Sequence, residues 1–316
     1  MEASAARSVL ERVTAAVHTA VVGRDAVLRE MLIGLVADGH LLIEDLPGLG
    51  KTLMAKSFAR ALGLNFQRIQ FTADLLPHDI TGGEVLDADR RSLVFRPGPI
   101  FTHLLLADEI NRAPPKVQSA LLEAMQEYQV TSERATYPLE RPFLVIATEN
   151  PIELEGTYPL PEAQVDRFLL RLSVGYPTPE EERAIVERRR VRAPEAAEVP
   201  AVTDRATWLD LQRSVESIEL HPSLEEYLVA LVRATRDDPR VDVGASPRGS
   251  LALARVARAR ALLEGRSFVL PDDIKALAVP ALGHRLIVKP EPWIRGVRGP
   301  EIVRSALDRT PVPKVP

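Results

Sequence analysis

The 316-residue chain contains no cysteine. That excludes a disulfide scaffold, cysteine-ligated zinc and thiol catalysis. Aromatic residues make up only 5% of it, and no unbroken apolar run approaches the roughly 20 residues that a membrane-spanning helix requires. The amino terminus carries Glu2 and Glu11 and has no sustained apolar stretch, so it does not read as a signal peptide and a cytoplasmic location is expected. A dominant charge is missing too. Forty Lys and Arg face 44 Asp and Glu, and a net charge of −4 gives no electrostatic grip on nucleic acid. What is present, 46% apolar and 27% charged residues, is the balance of a folded soluble protein with length enough for two domains.

Up to Tyr176 the chain alternates two periodicities. Helical spacing over Arg7–His18 and Asp25–Ala37 leads into the apolar run Leu41–Glu44, and similar runs recur at Phe66–Phe71, Leu104–Ala107, Phe143–Ala147 and Phe168–Val174. Short apolar strands separated by helices suit a parallel sheet covered on both faces. One segment breaks the alternation. Glu84–Leu86 and Ser92–Phe95, divided by the polar turn Asp87–Arg91, predict a β-hairpin at about residues 82–97, set within or beside a helix. Beyond Tyr176 strand-like runs nearly vanish. Helices are expected over Thr178–Arg192, Thr203–Val215, Ser223–Arg236, Pro247–Leu263 and Pro271–Leu282, with a linker at Arg192–Pro200. The plan is an α/β domain over residues 1–176 and an all-helical domain over 177–316. Charge divides along the same line, with 17 basic and 23 acidic residues before Pro177 against 23 and 21 after it. Ordinary solvated faces account for this more simply than head-to-tail packing of subunits.

Pro47-Gly48-Leu49-Gly50-Lys51-Thr52 follows a strand and opens a helix, the setting of a phosphate-binding loop. Successive N–H groups at the helix start point at an anion, the glycines allow close approach, Lys51 meets the β- and γ-phosphates, and Thr52 offers a hydroxyl to Mg2+. The first position of the full pattern is Asp45 in place of glycine. Either Asp45 simply turns the chain off the strand, or its carboxylate repels phosphate. Leu104–Glu109 is an apolar strand ending in two carboxylates, where Asp108 can hold Mg2+ through water and Glu109 can deprotonate an attacking water. Phe143–Ala147 ends in Thr148-Glu149-Asn150-Pro151, which puts the Asn150 amide where it can position that water. Asp166-Arg167-Phe168 and Ser246-Pro247-Arg248 supply arginines at element edges, and such arginines acquire a role only from their context.

These strings together resemble the MoxR family of AAA+ ATPases. The resemblance runs from Val22-Gly23-Arg24 through the phosphate loop, Ala107–Lys116 and Gly156–Phe168 to Ser246-Pro247-Arg248, and so covers nearly the whole chain. It implies a P-loop αβα sandwich whose five parallel strands run in the order 5-1-4-3-2, followed by an all-helical lid. The hairpin at 82–97 resembles the helix-2 insert of the clade that includes magnesium chelatase. By the same resemblance Asn150 is sensor 1, Arg248 is sensor 2 on the lid, and Arg167 is the arginine finger that reaches a neighbour's γ-phosphate. Val22 and Gly23 would lie against adenine, and Pro47 to Leu53 together with Arg248 would contact ATP. Asp at position 45 is not unusual in the group this family resembles. A finger supplied in trans makes a ring necessary, and a homo-hexamer is expected.

The function so implied is Mg2+-dependent ATP hydrolysis coupled, through lid movement, to remodelling, maturation or metal insertion of a client protein, with a von Willebrand factor A domain protein as accessory partner. The alternative is a nucleotide-gated assembly scaffold with little turnover. A DNA remodeller, suggested by kinship of the insert, is disfavoured by the near-neutral charge.

Overall fold

The computed structural model describes residues 1–87, 92–132, 135–152, 156–191 and 198–314. Two helices come first, α1 (Ala3–His18) and α2 (Asp25–Val36). Ala6, Val9, Leu10, Val13, Ala16 and Val17 recur at intervals of three and four along α1 and form one buried stripe. The alternating part then runs β1 (Leu41–Glu44), α3 (Lys51–Ala61), β2 (Phe66–Gln70), α4 (Pro77–Thr81), β3 (Gly82–Asp87), β4 (Ser92–Pro97), β5 (Leu104–Asp108), α5 (Pro115–Glu127), β6 (Gln129–Thr131), β7 (Thr136–Pro138), β8 (Leu144–Glu149), α6 (Glu162–Val165) and β9 (Leu170–Leu172).

Five of these strands form one parallel sheet in the order β2-β5-β8-β1-β9. Counted as sheet strands, that is the expected 5-1-4-3-2. Side chains alternate across it. Leu41, Ile43, Leu104, Leu106, Ile146 and Leu170 enter the core beneath α1, α2 and α3, whereas Leu42, Leu105, Ala107, Val145 and Ala147 enter the core beneath α5. The edge strand β2 departs from the reading of a strand apolar on both faces, because Gln67, Arg68 and Gln70 are exposed. The expected hairpin is the antiparallel pair β3–β4, which leaves α4 directly. Its turn at 88–91 lies outside the described residues.

A second hairpin, β6–β7, was not anticipated. Phe95 of the first hairpin stacks on Tyr137 of the second with ring centroids 3.8 Å apart, so the two project together.

The carboxyl-terminal part contains α7 (Pro179–Val191), α8 (Arg205–Glu216), α9 (Pro222–Arg236), β10 (Val241–Val243), α10 (Pro247–Leu263), α11 (Pro271–Leu282), β11 (Ile287–Val288), α12 (Pro290–Ile294) and α13 (Gly299–Arg309). Asp204 and Ser246 cap α8 and α10 through their side chains, and proline opens α9, α10 and α11. The antiparallel pair β10–β11 adds two short strands to a part read as wholly helical, and α12 and α13 extend it. Most of the linker expected at Arg192–Pro200 lies outside the described residues.

Helices α8 to α11 do not form a separate core. Trp208, Leu231, Leu253, Val256 and Leu277 belong to the same apolar cluster as Leu10, Met31 and Phe58 of α1, α2 and α3. Helix α7 stands apart, since none of its described residues is buried. Among the described residues no helix is long and apolar enough to cross a membrane.

Candidate functional site

The carboxyl ends of β1, β8 and β5 lie side by side, with β8 in the middle. The chain leaves β1 through Asp45 and enters α3 at Lys51. Gly48 and Gly50 adopt φ of +83° and +84°, which disfavours any other residue, and a Cβ at either would meet nothing within 4 Å. The result is an open cradle at a helix start. Lys51 is buried beside it and its Nζ donates to the Asp45 carbonyl at 2.7 Å. Burial pulls the Lys51 amine below its ordinary value, opposed by the charges of Asp45, Asp108 and Glu109. Thr52 follows in the first turn of α3, and Leu53 is exposed at the lip.

The Asp45 carboxylate is taken up by the chain that leaves β9. Oδ2 accepts from the N–H groups of Val174 and, at 2.7 Å, Gly175, and from the Ser173 hydroxyl at 3.2 Å, while Oδ1 accepts from Leu46 N–H at 2.9 Å. Its φ is not in the left-handed region, so tolerance of unusual backbone angles does not explain the residue. A carboxylate with four donors does.

Asp108 ends β5. Its Oδ2 accepts from Arg68 Nε and Nη2 at 3.0 and 2.7 Å, and its Oδ1 accepts from the Thr148 hydroxyl at 2.6 Å. Glu109 sits at φ +57°, and its N–H donates to the same Thr148 oxygen at 2.8 Å. The fully buried Thr148 hydroxyl thus fixes both acidic residues at once. Glu109 Oε2 accepts from Gln70 Nε2 at 2.9 Å and from Arg112 Nη1 at 3.1 Å. Sequence reasoning missed Thr148, Arg68 and Gln70. The available signals were a hydroxyl two residues before Asn150 and polar residues inside the run Phe66–Phe71.

Asn150 is 4% exposed, and its Nδ2 has no hydrogen-bond partner among the described residues. A buried amide donor without an acceptor is costly unless a ligand or water supplies one. This orphaned donor, the open cradle and the adjacent carboxylates fit a nucleoside triphosphate with Mg2+. Thr52 and Asp108 would hold the metal.

Val22 and Gly23 form the turn between α1 and α2, with Gly23 at φ +61°. Glu181 of α7 packs on Gly23, and its Oε1 accepts from Arg24 N–H at 3.1 Å. Arg24 Nη1 in turn donates to the Val174 carbonyl at 3.0 Å.

The two arginines lie elsewhere. Arg167 and Arg248 line a cavity of about 230 Å3 together with Gly39, His40, Leu169 and Arg255. Gly39 and His40 precede β1 and Leu169 precedes β9, so the cavity sits at the amino edge of the sheet. Arg248 is 3.8 Å from the Asp166 carboxylate, which Arg285 also approaches at 3.4 Å. Arg167 Nε is buried without a hydrogen-bond partner among the described residues. The four residues of β1 put roughly 13 Å between this cavity and the cradle. Arg248, which family resemblance assigns to ATP, therefore lies at the opposite edge of the sheet from the cradle of its own chain. Helix α10 packs against α1 and α2, and that packing carries its first turn to the amino edge.

A phosphate cradle, an acidic pair at the neighbouring strand ends and a helical lid define a P-loop ATPase of the AAA+ type. A model of the ATPase family associated with various cellular activities matches residues 40–170, and an AAA lid domain matches residues 233–306. The chaperone MoxR1 of Mycobacterium tuberculosis is 43% identical over 315 residues, spanning 97% of this chain and 83% of that protein. YeaC of Bacillus subtilis, itself uncharacterized, is 45% identical over 297 residues, 94% of this chain and 92% of that one. The crystal structure of an ATPase candidate from Cytophaga hutchinsonii superposes with a TM-score of 0.92 at 40% identity, covering 99% of this chain and 97% of that one. The chain belongs to the MoxR family of AAA+ ATPases.

Proposed function

We propose that the chain hydrolyses ATP with Mg2+ and couples turnover to remodelling of a client protein. The observation that carries this reading is the convergence of the open Gly48–Gly50 cradle, buried Lys51, Asp108 and the orphaned Asn150 donor at three adjacent strand ends. The N–H groups from Gly48 to Leu53 hold the phosphates, Pro47 and Leu49 shape the loop, and Lys51 neutralises the β- and γ-oxygens. Bound Mg2+ supplies charge neutralisation between the phosphates, with Thr52 and Asp108 as its protein ligands. Glu109 takes the proton of the attacking water, and Asn150 Nδ2 orients that water or the γ-phosphate. Val22 and Gly23 contact the base.

Arg167 and Arg248 complete the site of a neighbouring copy, because the amino edge on which they sit cannot reach the cradle of the same chain. A homo-hexameric ring satisfies this requirement for every copy. The relative named chaperone MoxR1 supports a protein as the client, and maturation or metal insertion is the form of remodelling that family resemblance favours, with a von Willebrand factor A domain protein as partner. The scaffold alternative rested on Asp45 or a missing partner holding turnover down; the donors that engage the Asp45 carboxylate favour the hydrolase reading, and turnover measured with and without the partner decides between the two.

Glu109→Gln tests the reading. The variant is expected to bind ATP like the wild type and to lose turnover by about 10^3-fold. Turnover at the wild-type rate removes Glu109 as the base. Held in ATP, the same variant is expected to retain client and partner in a pull-down.

A further inference from the structure

Asp45 is a phosphate-loop residue to which ATP hydrolysis gives no task, yet it is 7% exposed and fully engaged. Its main-chain carbonyl accepts from Lys51 Nζ, the amine that has to serve a phosphate. Its carboxylate accepts from the consecutive residues Ser173, Val174 and Gly175, which lead from β9 out of the sheet. Glycine at position 45, the residue usual in such loops, makes the first contact and none of the others.

The same three-residue turn receives a second tie. Arg24, beside the Val22–Gly23 turn, donates through Nη1 to the Val174 carbonyl, and its N–H donates to Glu181 of α7. Glu181 also caps its own helix by accepting from Thr178 N–H at 2.9 Å. Both ends of the nucleotide site therefore converge on Ser173–Gly175, where Gly175 has φ +67°, and pass from there through Tyr176 to α7. Helix α7 is held at the surface. None of its described residues is buried, its ties to the rest of the chain include Glu181 with Arg24 and Arg188 Nη1 donating to the His18 carbonyl at 3.1 Å, and Tyr176 and Val186 are 74% and 66% exposed.

Resting on the reading of the site as an ATP site, we infer that Asp45 is a positioning residue that couples the phosphate loop to the Ser173–Gly175 turn and to α7. A phosphate in the cradle competes with the Asp45 carbonyl for Lys51 Nζ. Once the amine transfers, the Asp45 main chain loses its charged donor while its carboxylate still grips the turn. The loop then shifts the turn with it. The moving part is α7 and its turn, since α8 to α11 share the core of α1 to α3 and are held by it.

The full chain serves for the test, with Asp45→Gly and Asp45→Asn beside the wild type and folding checked by circular dichroism. The measurements are affinity for a non-hydrolysable ATP analogue, ATP turnover, and amide exchange over residues 173–191 with and without the analogue. In the wild type the analogue is expected to change exchange at Val174, Gly175 and α7 by about tenfold or more. Asp45→Gly is expected to keep analogue affinity within about twofold, to lose the analogue-dependent change in exchange, and to lose about tenfold in turnover. Asp45→Asn, which retains one acceptor oxygen, is expected to fall between, and carries the test if the glycine variant does not fold. A wild-type-sized exchange response in either variant overturns the coupling alone, provided that the wild type binds and turns over nucleotide. Loss of affinity in proportion to turnover also overturns it, by reducing Asp45 to a local support of the loop. Absence of analogue binding by the wild type overturns the nucleotide reading and the coupling with it.

Discussion

At the carboxyl edge of the sheet the chain offers an open glycine cradle, one amine and two carboxylates; at the amino edge it offers Arg167, Arg248, Arg255 and Arg285 around Asp38 and Asp166. At the first edge Lys51 is buried beside the cradle, while the guanidinium groups of Arg68 and Arg112 are engaged by Asp108 and Glu109. The second has positive charge and nothing to hold a nucleotide. A single strand length separates two half-sites of complementary chemistry. On the proposed reading, two copies stacked edge to edge join them.

The largest expected effect breaks this comparison directly. Glu109→Gln damages the carboxyl edge and Arg167→Ala the amino edge, and each alone is expected to lose turnover by about 10^3-fold with nucleotide binding intact. Mixed one to one and allowed to exchange subunits, the two are expected to recover about a quarter of wild-type turnover, the statistical share of interfaces with both edges sound. If the mixture stays as inactive as its components, the split-site reading fails.

A second prediction concerns the face behind the cradle. Burial pushes the Glu149 carboxyl, one residue before Asn150, up to about 7 from an ordinary 4.5. Between those two values the folded chain keeps on Glu149 a proton that the unfolded chain has released, so the contribution of this group to stability falls as pH rises through the window and levels off above 7, against an opposite contribution from His40, which burial holds down at about 4. Glu149→Gln is expected to remove that contribution and to be more stable than the wild type at pH 8 by about 3 kcal/mol more than at pH 5. Urea denaturation at pH 5 and pH 8 measures it, and parallel curves for the two proteins contradict it.

Thr148 sharpens the carboxyl edge at the next level down. Removing its hydroxyl in Thr148→Val leaves Asp108 Oδ1 and the Glu109 N–H without their shared partner, and turnover is expected to fall by about tenfold while analogue affinity holds. Thr148→Ser is expected to restore it, which a role in packing alone would not allow. The smallest effect is at Arg68, a half-exposed guanidinium on Asp108 Oδ2 that would compete with Mg2+ for that oxygen on the proposed reading. Arg68→Ala is expected to lower the Mg2+ concentration for half-maximal turnover by about threefold, in keeping with the modest worth of an exposed ion pair. A Mg2+ titration of turnover reads it.

Much of the carboxyl edge was legible beforehand because its signals are local. A strand, two glycines, a lysine and a helix start occupy twelve residues, and the apolar runs before Asp108 and Asn150 mark strand ends by themselves. The hairpin β6–β7 was not legible, since Gln129, Thr131 and Thr136 give its three-residue strands no apolar period to detect. Neither was the direction of the Asp45 carboxylate, which depends on donors almost 130 residues away. The position of Arg248 belongs to the same class. Its Ser-Pro-Arg setting shows a helix start, but which edge of the sheet that start reaches is decided by how α10 packs on α1 and α2.

The apolar cluster that runs from Leu10 and Met31 through Phe58 to Leu253 and Leu277 has a consequence for how the molecule comes apart. A boundary near Tyr176 divides the chain by composition, but cutting there would strip the outer faces of α1 and α2 and leave α8 and α10 without a partner surface. The two segments are therefore expected to melt together in one cooperative step, with neither a module that can be borrowed without the other.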